Sequence, residues 1–183
     1  MKSKKNISRA FQNYCDKINN LSKSFIYDDL NKTINLIKNV KKKKSKIILF
    51  GNGGSSSIAN HVAIDMCKVA NIKAITFNES NLITCYSNDY GYENWMKKSL
   101  EFHLNQNDLV IFISSSGNSK NHLIAAKYCK KKKVKVVTLT GFSKSNKLKK
   151  IGNVNFWVDS KNYNHIEMAH HIILVYLADY FGK

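Results

Sequence analysis

Apolar residues recur along this chain with two different periods, and the switch between them sets the architecture. Residues 7–21 bring Ile7, Ala10, Phe11, Tyr14, Ile18 and Leu21 onto one helical face, and residues 25–40 do the same with Ile26, Leu30, Ile34, Ile37 and Val40. This spacing predicts two amphipathic helices. Beyond them the pattern changes to short apolar runs at 46–50, 74–77, 109–113, 134–139 and 154–158. These runs predict strands, with helical stretches between them at 58–69, 80–87, 92–104 and 121–129 and a closing helix over 165–181. Apolar strands interleaved with helices imply a parallel sheet covered on both faces. The expected class is α/β: a three-layer α/β/α sandwich on a parallel five-stranded sheet. The leading helical pair has no sheet partner of its own, so it is expected to cap the core or to meet another subunit.

Length and composition narrow the picture. A chain of 183 residues suits one domain, 1–183, here divided into a helical arm at 1–44 and an α/β core at 45–183. Cys15, Cys67, Cys85 and Cys129 are scattered without a Cys-x-x-Cys pair and read as reduced thiols, mostly core filler. No apolar run reaches the length of a membrane span, and the basic start leads into an amphipathic segment rather than a signal peptide. The expected location is the cytoplasm, with no membrane partner.

A net charge of +18 raises the question of a polyanionic partner. Lysine supplies nearly all of it, Asn and Ile are abundant and proline is absent, the bias an A+T-rich coding sequence produces whatever the function. Nucleic acid is therefore not the favoured partner. The lysine blocks at 41–44 and 130–133 precede strands, where cations suit helix C-termini, and they also attract an anionic substrate.

The chemistry concentrates at two strand-to-helix turns. The apolar run at 46–50 breaks into Gly51-Asn52-Gly53-Gly54-Ser55-Ser56-Ser57 before a helix. Glycines there admit backbone angles barred to other residues, so amides and hydroxyls at the helix start can converge on an anion. The design repeats where 109–113 runs into Ser114-Ser115-Ser116-Gly117-Asn118-Ser119. In an open α/β sheet both turns lie at the carboxyl ends of strands, where ligands bind. Together they suggest one phosphorylated small molecule.

On the helix after the first turn, His61 and Asp65 stand at i and i+4, so both side chains can share one face. Such a pair can bind metal, act as base and orienting partner, or form an ordinary surface contact. On the closing helix Glu167 and His171 are also an i, i+4 pair, while the adjacent His170 and His171 point in different directions. His165 is a further candidate just before that helix. His103 and His122 have no supporting constellation.

The two turns, the intervening Ser87-Asn88-Asp89-Tyr90-Gly91-Tyr92 and Thr138-Leu139-Thr140-Gly141 resemble the sugar-isomerase (SIS) phosphosugar-binding family, whose sheet is flavodoxin-like. The resemblance runs from about residue 46 to the C-terminus, and the helical arm suits it. It implies phosphate binding by Ser55, Ser114, Ser116 and Ser119, with Ser115 where threonine is usual and Asn52, Gly53 and Asn118 at adjacent turn positions. It also implies that Asp89 meets the sugar chain. His61 falls on a family zinc ligand, and Asp65 on a glutamate that is both zinc ligand and proposed catalytic base, one methylene shorter here. On the closing helix the family has Gln, then His three residues on, then a second His five residues further. Aligned without gaps, this chain offers Glu167, His170 and Val175. Valine can neither bind metal nor move a proton; a one-turn shift would bring His171 to that position instead.

The resemblance thus implies an aldose–ketose isomerase acting on sedoheptulose 7-phosphate or a relative, for synthesis of a heptose in a surface polysaccharide. His61, Asp65 and Glu167 would surround the reacting carbons. Zinc would be held by His61 and Asp65, with Glu167 or, more weakly, His171. No nucleotide cofactor is expected, and the assembly would be a homotetramer. The altered metal positions leave a second expectation open: a non-catalytic phosphosugar-binding protein, or an adaptor of the kind that binds the bacterial replication initiator.

Overall fold

A computed structural model describes residues 4–23 and 27–182. Phe25 and Ile26, expected to open the second helix, lie outside the described residues. In chain order the elements are α1 (Lys4–Lys23), α2 (Tyr27–Lys42), β1 (Ile47–Gly51), α3 (Gly54–Lys68), β2 (Ala74–Ile75) and α4 (Ser80–Tyr90). They continue with α5 (Trp95–His103), β3 (Leu109–Ser114), α6 (Lys120–Lys131), β4 (Lys135–Thr140), β5 (Val154–Trp157) and α7 (Tyr163–Gly182).

The strands form one five-stranded sheet in the order β2-β1-β3-β4-β5, and every pairing is parallel. Side chains alternate across it. Leu49, Ile111 and Leu139 join Ile34, Ile37, Val62 and Leu174 in one buried layer, under α2, α3 and α7. Phe50, Phe112 and Val136 join Trp95, Leu100 and Ala126 in the other, under α5 and α6. In that second layer Phe50 stacks on Phe112 with centroids 5.6 Å apart and meets Trp95 edge-on at 5.8 Å. The expected three-layer parallel architecture is what the chain adopts.

Four local readings change. The strand expected at 74–77 pairs only over Ala74–Ile75, because Phe77 turns into the aromatic cluster and stacks on Phe50. The Asn88-Asp89 segment, which carries turn chemistry, is the last turn of α4, and the chain reverses at Gly91, whose φ is +83°. The two leading helices do not act as a pair: α2 buries Thr33, Ile34, Ile37 and Val40 in the sheet's own core, whereas α1 lies along α7. Only Cys129 is buried core filler; Cys15, Cys67 and Cys85 are exposed on their helices, Cys67 beside edge strand β2, where the Ala74 N–H donates to its sulfur at 3.3 Å.

Where the chain enters β1 and β3, the buried Asp108 carboxylate gathers four donors. They are the Lys46 ammonium at 2.6 Å, the Ser45 hydroxyl at 2.5 Å, and the main-chain N–H groups of Asn105 and Lys46 at 2.8 and 3.2 Å. This knot holds the two central strands in register at the end of the sheet opposite the hydroxyl-rich turns.

Candidate active site

Strand order reverses between β1 and β3, so the connections leaving these neighbours diverge to opposite faces and open a crevice at their carboxyl ends. The register pairs Gly51 with Ile113, which sets the two hydroxyl-rich turns side by side. The first turn depends on Gly53, whose φ of 54° and ψ of −126° no side-chain-bearing residue adopts comfortably. A cavity of about 120 Å³ lies between the turns, lined by Asn52, Ser55, Ser114, Ser115, Ser116, Ser119, Tyr163 and Glu167, with Ile113 and His122 behind.

Its walls hold unspent polar capacity. Among the described residues the buried Ser115 hydroxyl has no hydrogen-bond partner. Ser119 occupies the N-cap position of α6 yet makes no side-chain cap bond, so its hydroxyl and the positive end of the helix remain for a ligand. Ser116 Oγ accepts the Asn118 N–H at 3.3 Å, and Asn118 Oδ1 accepts the Lys147 N–H at 3.2 Å, which pins the second turn to the loop after β4. Converging hydroxyls at a helix start suit a phosphate group.

Four acid–base side chains, His61 and Asp65 on α3 and Glu167 and His171 on α7, run along the facing sides of the two helices. Glu167 lies over the first turn: a Cβ on Gly54 would overlap its carboxylate, and Ser55 Oγ donates to Glu167 Oε1 at 3.4 Å. One turn along α7, His171 Nε2 lies 2.8 Å from His61 Nδ1, and the other His61 nitrogen lies 3.1 Å from Asp65 Oδ2. The result is a carboxylate–imidazole–imidazole chain. Partial burial and the neighbouring His61 ring lower the His171 pKa, while Asp65 opposes them. The sequence reading set Val175 at the family's second-histidine position and gave His171 the lesser part; in the structure His171 is the side chain that meets His61. Val175 lies a further turn along α7, half-buried against the core.

A zinc site needs three or four donors aimed at one point. His61 Nε2 and Asp65 Oδ2 lie close enough to share an ion, but His171 meets the opposite ring nitrogen and Glu167 turns to Ser55. Among the described residues no group of three or more His, Cys, Asp or Glu is placed to hold a metal ion. As arranged, these side chains do not fit the zinc that the family resemblance implies.

Other expected participants lie elsewhere. Asp89 is exposed on α4, where its carboxylate accepts from Asn88 Nδ2 at 3.0 Å, and it does not line the cavity. His165 is buried edge-on against Tyr14 at 5.0 Å, and His170 is fully buried with Nε2 against the Thr140 carbonyl at 3.1 Å. The structure adds Tyr92, Asn121, His122 and Tyr163. Tyr92 OH donates to Asn52 Oδ1 at 3.3 Å. Tyr163 and His122 line the cavity itself. A larger groove of about 840 Å³ lies beside edge strand β2, but its lining from Asn60 to Glu79 lacks converging hydroxyls.

The fold and its paired turns define an α/β phosphosugar-binding domain, and the chain belongs to the SIS domain family, which matches residues 13–141. Among curated relatives, a phosphoheptose isomerase of Buchnera aphidicola is 31% identical over 159 residues, covering 81% of this chain and 82% of the relative. That of Helicobacter pylori is 31% identical over 160 residues, covering 84% and 83%. Solved phosphoheptose isomerases share the fold. That of Neisseria gonorrhoeae superposes with a TM-score of 0.86 at 22% identity over 95% of this chain and 98% of its own. That of Francisella tularensis gives 0.86 at 24% identity over 99% and 98%.

Proposed function

We propose that this protein is a phosphoheptose isomerase, interconverting sedoheptulose 7-phosphate and D-glycero-D-manno-heptose 7-phosphate for surface polysaccharide synthesis. The carrying observation is the single cavity that both hydroxyl-rich turns share, with acid–base side chains alongside it on α3 and α7. Ser55, Ser114, Ser115, Ser116 and Ser119, with Asn52, Gly53 and Asn118 shaping the turns, hold the phosphate. That grip on the remote end supplies binding energy that positions the reacting carbons.

The reaction moves a proton from C1 to C2 through an enediol. Asp65, on Nε2, orients His61 and stabilises the imidazolium formed when Nδ1 gives up its contact with His171 and takes the C1 proton; the same nitrogen returns a proton to C2, and His171 exchanges that proton with solvent between the two transfers. Glu167, at the rim of the phosphate cavity, moves the proton between the two substrate oxygens. No step is routed through a metal, because the donors do not converge on one.

The enzyme is proposed to act in the cytoplasm as a homotetramer with no membrane or nucleic-acid partner. Among the described residues no helix is long and apolar enough to cross a membrane. Exposed Met168, Ile172, Tyr176 and Tyr180 recur every fourth residue on α7, with Ile18 of α1 lining the same groove, and this apolar stripe supports a subunit contact there.

Incubation with sedoheptulose 7-phosphate in deuterated water, followed by NMR, tests the reading. Aldose formation with deuterium at C2 is expected, and Ser116→Ala should raise KM. Folded protein that binds phosphosugars yet exchanges no proton would favour a non-catalytic phosphosugar-binding role.

A further inference from the structure

The two turns that share the cavity belong to separate βα units, and each is anchored to a different part of the molecule. Main-chain N–H groups of Gly141 and Leu148 donate to the Ser115 and Gly117 carbonyls at 2.8 and 2.9 Å, which ties the second turn to the loop after β4. The first turn is tied through Ser55 to Glu167 on α7. Among the described residues one side-chain link joins turn to turn. Asn52 Nδ2 donates to Asn121 Oδ1 at 3.2 Å, and Asn121 Nδ2 donates back to Asn52 Oδ1 at 3.0 Å.

The orientation of this amide pair is fixed by a group that can only donate. The His122 main-chain N–H points at Asn121 Oδ1 at 3.0 Å, so that end of Asn121 is the oxygen and Asn52 must face it with nitrogen. The Tyr92 hydroxyl donating to Asn52 Oδ1 agrees with the same assignment. Asn121 is 2% exposed, so water does not compete for the pair. A carboxamide has two N–H groups; the pair uses one from Asn52 Nδ2, leaving the second for a ligand beside Ser55.

We infer that Asn121 is a positioning residue for the ligand's phosphate: through its reciprocal amide pair with Asn52 it holds the two serine turns at one fixed spacing. It does not touch substrate. The inference rests on the phosphate site described above, and it gives Asn121 a role in affinity for any phosphomonoester rather than in recognising the sugar. Without the pair, the β1–β3 ladder still sets the turns side by side as far as Gly51 and Ile113, but the ordering of the residues beyond it falls to the ligand and weakens its binding.

Titration calorimetry with inorganic phosphate, together with turnover of sedoheptulose 7-phosphate, tests this on wild type, Asn121→Ala, Asn52→Ala, the double variant and Ser116→Ala. Asn121→Ala should weaken phosphate binding and raise KM by about tenfold while kcat changes much less. In the Asn52→Ala background it should add nothing, because its partner is already gone. If Ser116→Ala weakens phosphate binding while folded Asn121→Ala binds like wild type, or if Asn121→Ala has its full effect without Asn52, the clasp is refuted and the phosphate site stands. If Ser116→Ala leaves phosphate binding unchanged, the phosphate site falls and the clasp with it. A wild-type measurement guards against an unfolded variant: the Asn52 and Asn121 side-chain amide protons should exchange slowly with solvent by NMR, and fast exchange of both would overturn the pairing.

Discussion

Lowering the pH from 7.5 to about 5 should destabilise this protein well before its carboxylates begin to protonate. The cause is two histidines sealed in the interior. His122 and His170 are both 0% exposed. Burial pushes the His122 pKa down to about 4, with the Ile113 and Phe50 backbone opposing, and pushes His170 down to about 4 against the pull of the Thr140 carbonyl. In the unfolded chain each would titrate near 6.5. Between those values the unfolded state takes up a proton that the native state refuses, so stability is complete above the unfolded value, falls through the window and levels off near 4. At pH 5 the cost is about 2 kcal/mol for each ring and about 4 kcal/mol for the pair. With an ordinary urea dependence of about 2 kcal/mol per molar, the unfolding midpoint should drop by about 2 M. Urea unfolding monitored by circular dichroism at several pH values measures it. His122→Val and His170→Leu should each remove one proton's worth of slope whatever they do to absolute stability. A midpoint that stays constant across this range would refute the assignment of two buried neutral imidazoles.

Removing the Asp108 carboxylate with Asp108→Ala leaves Lys46 and two main-chain N–H groups without their acceptor, and a loss of about 3–5 kcal/mol in urea unfolding is expected. Asp65→Ala should lower kcat by on the order of 10²–10⁴-fold while phosphate affinity holds, since Asp65 orients His61 and lies outside the phosphate cavity; retained turnover would remove the His61 pair from the mechanism. Dialysis against a chelator should leave turnover unchanged, because the His61–Asp65–His171 chain does not converge on one point; activity lost and then restored by zinc would contradict that geometry.

Much of the site was legible because its signals are local. A strand that breaks into glycines and serines before a helix is a local pattern that suits an anion, and its repeat at 114–119 is what turns one weak signal into a candidate site. The i, i+4 pair of His61 and Asp65 likewise needs only helical geometry to meet, and it does at 3.1 Å. Asn121 carried no such signal. Its partner lies 69 residues away, and nothing near it marks an asparagine after a serine turn as different from any other helix-start residue. His122 was passed over for the same reason: one histidine near the start of a helix becomes informative only once the sheet has buried it beside the cavity.

His171 shows the division most clearly. Read along the chain, counting residues on the closing helix set Val175 at the decisive position and left His171 secondary. The rotation of α7 against α3 determines which side chain meets His61, and that rotation comes from packing Ile173, Leu174 and Leu177 into the same apolar layer as Val62 and Met66. By itself the sequence determined the parallel three-layer architecture and the two hydroxyl-rich turns, because periodicity and turn chemistry act between residues a few positions apart. Only the tertiary structure decided the Asn52–Asn121 clasp, the His61–His171 contact and the burial of His122 and His170, because each depends on how distant elements are pressed together by a shared core.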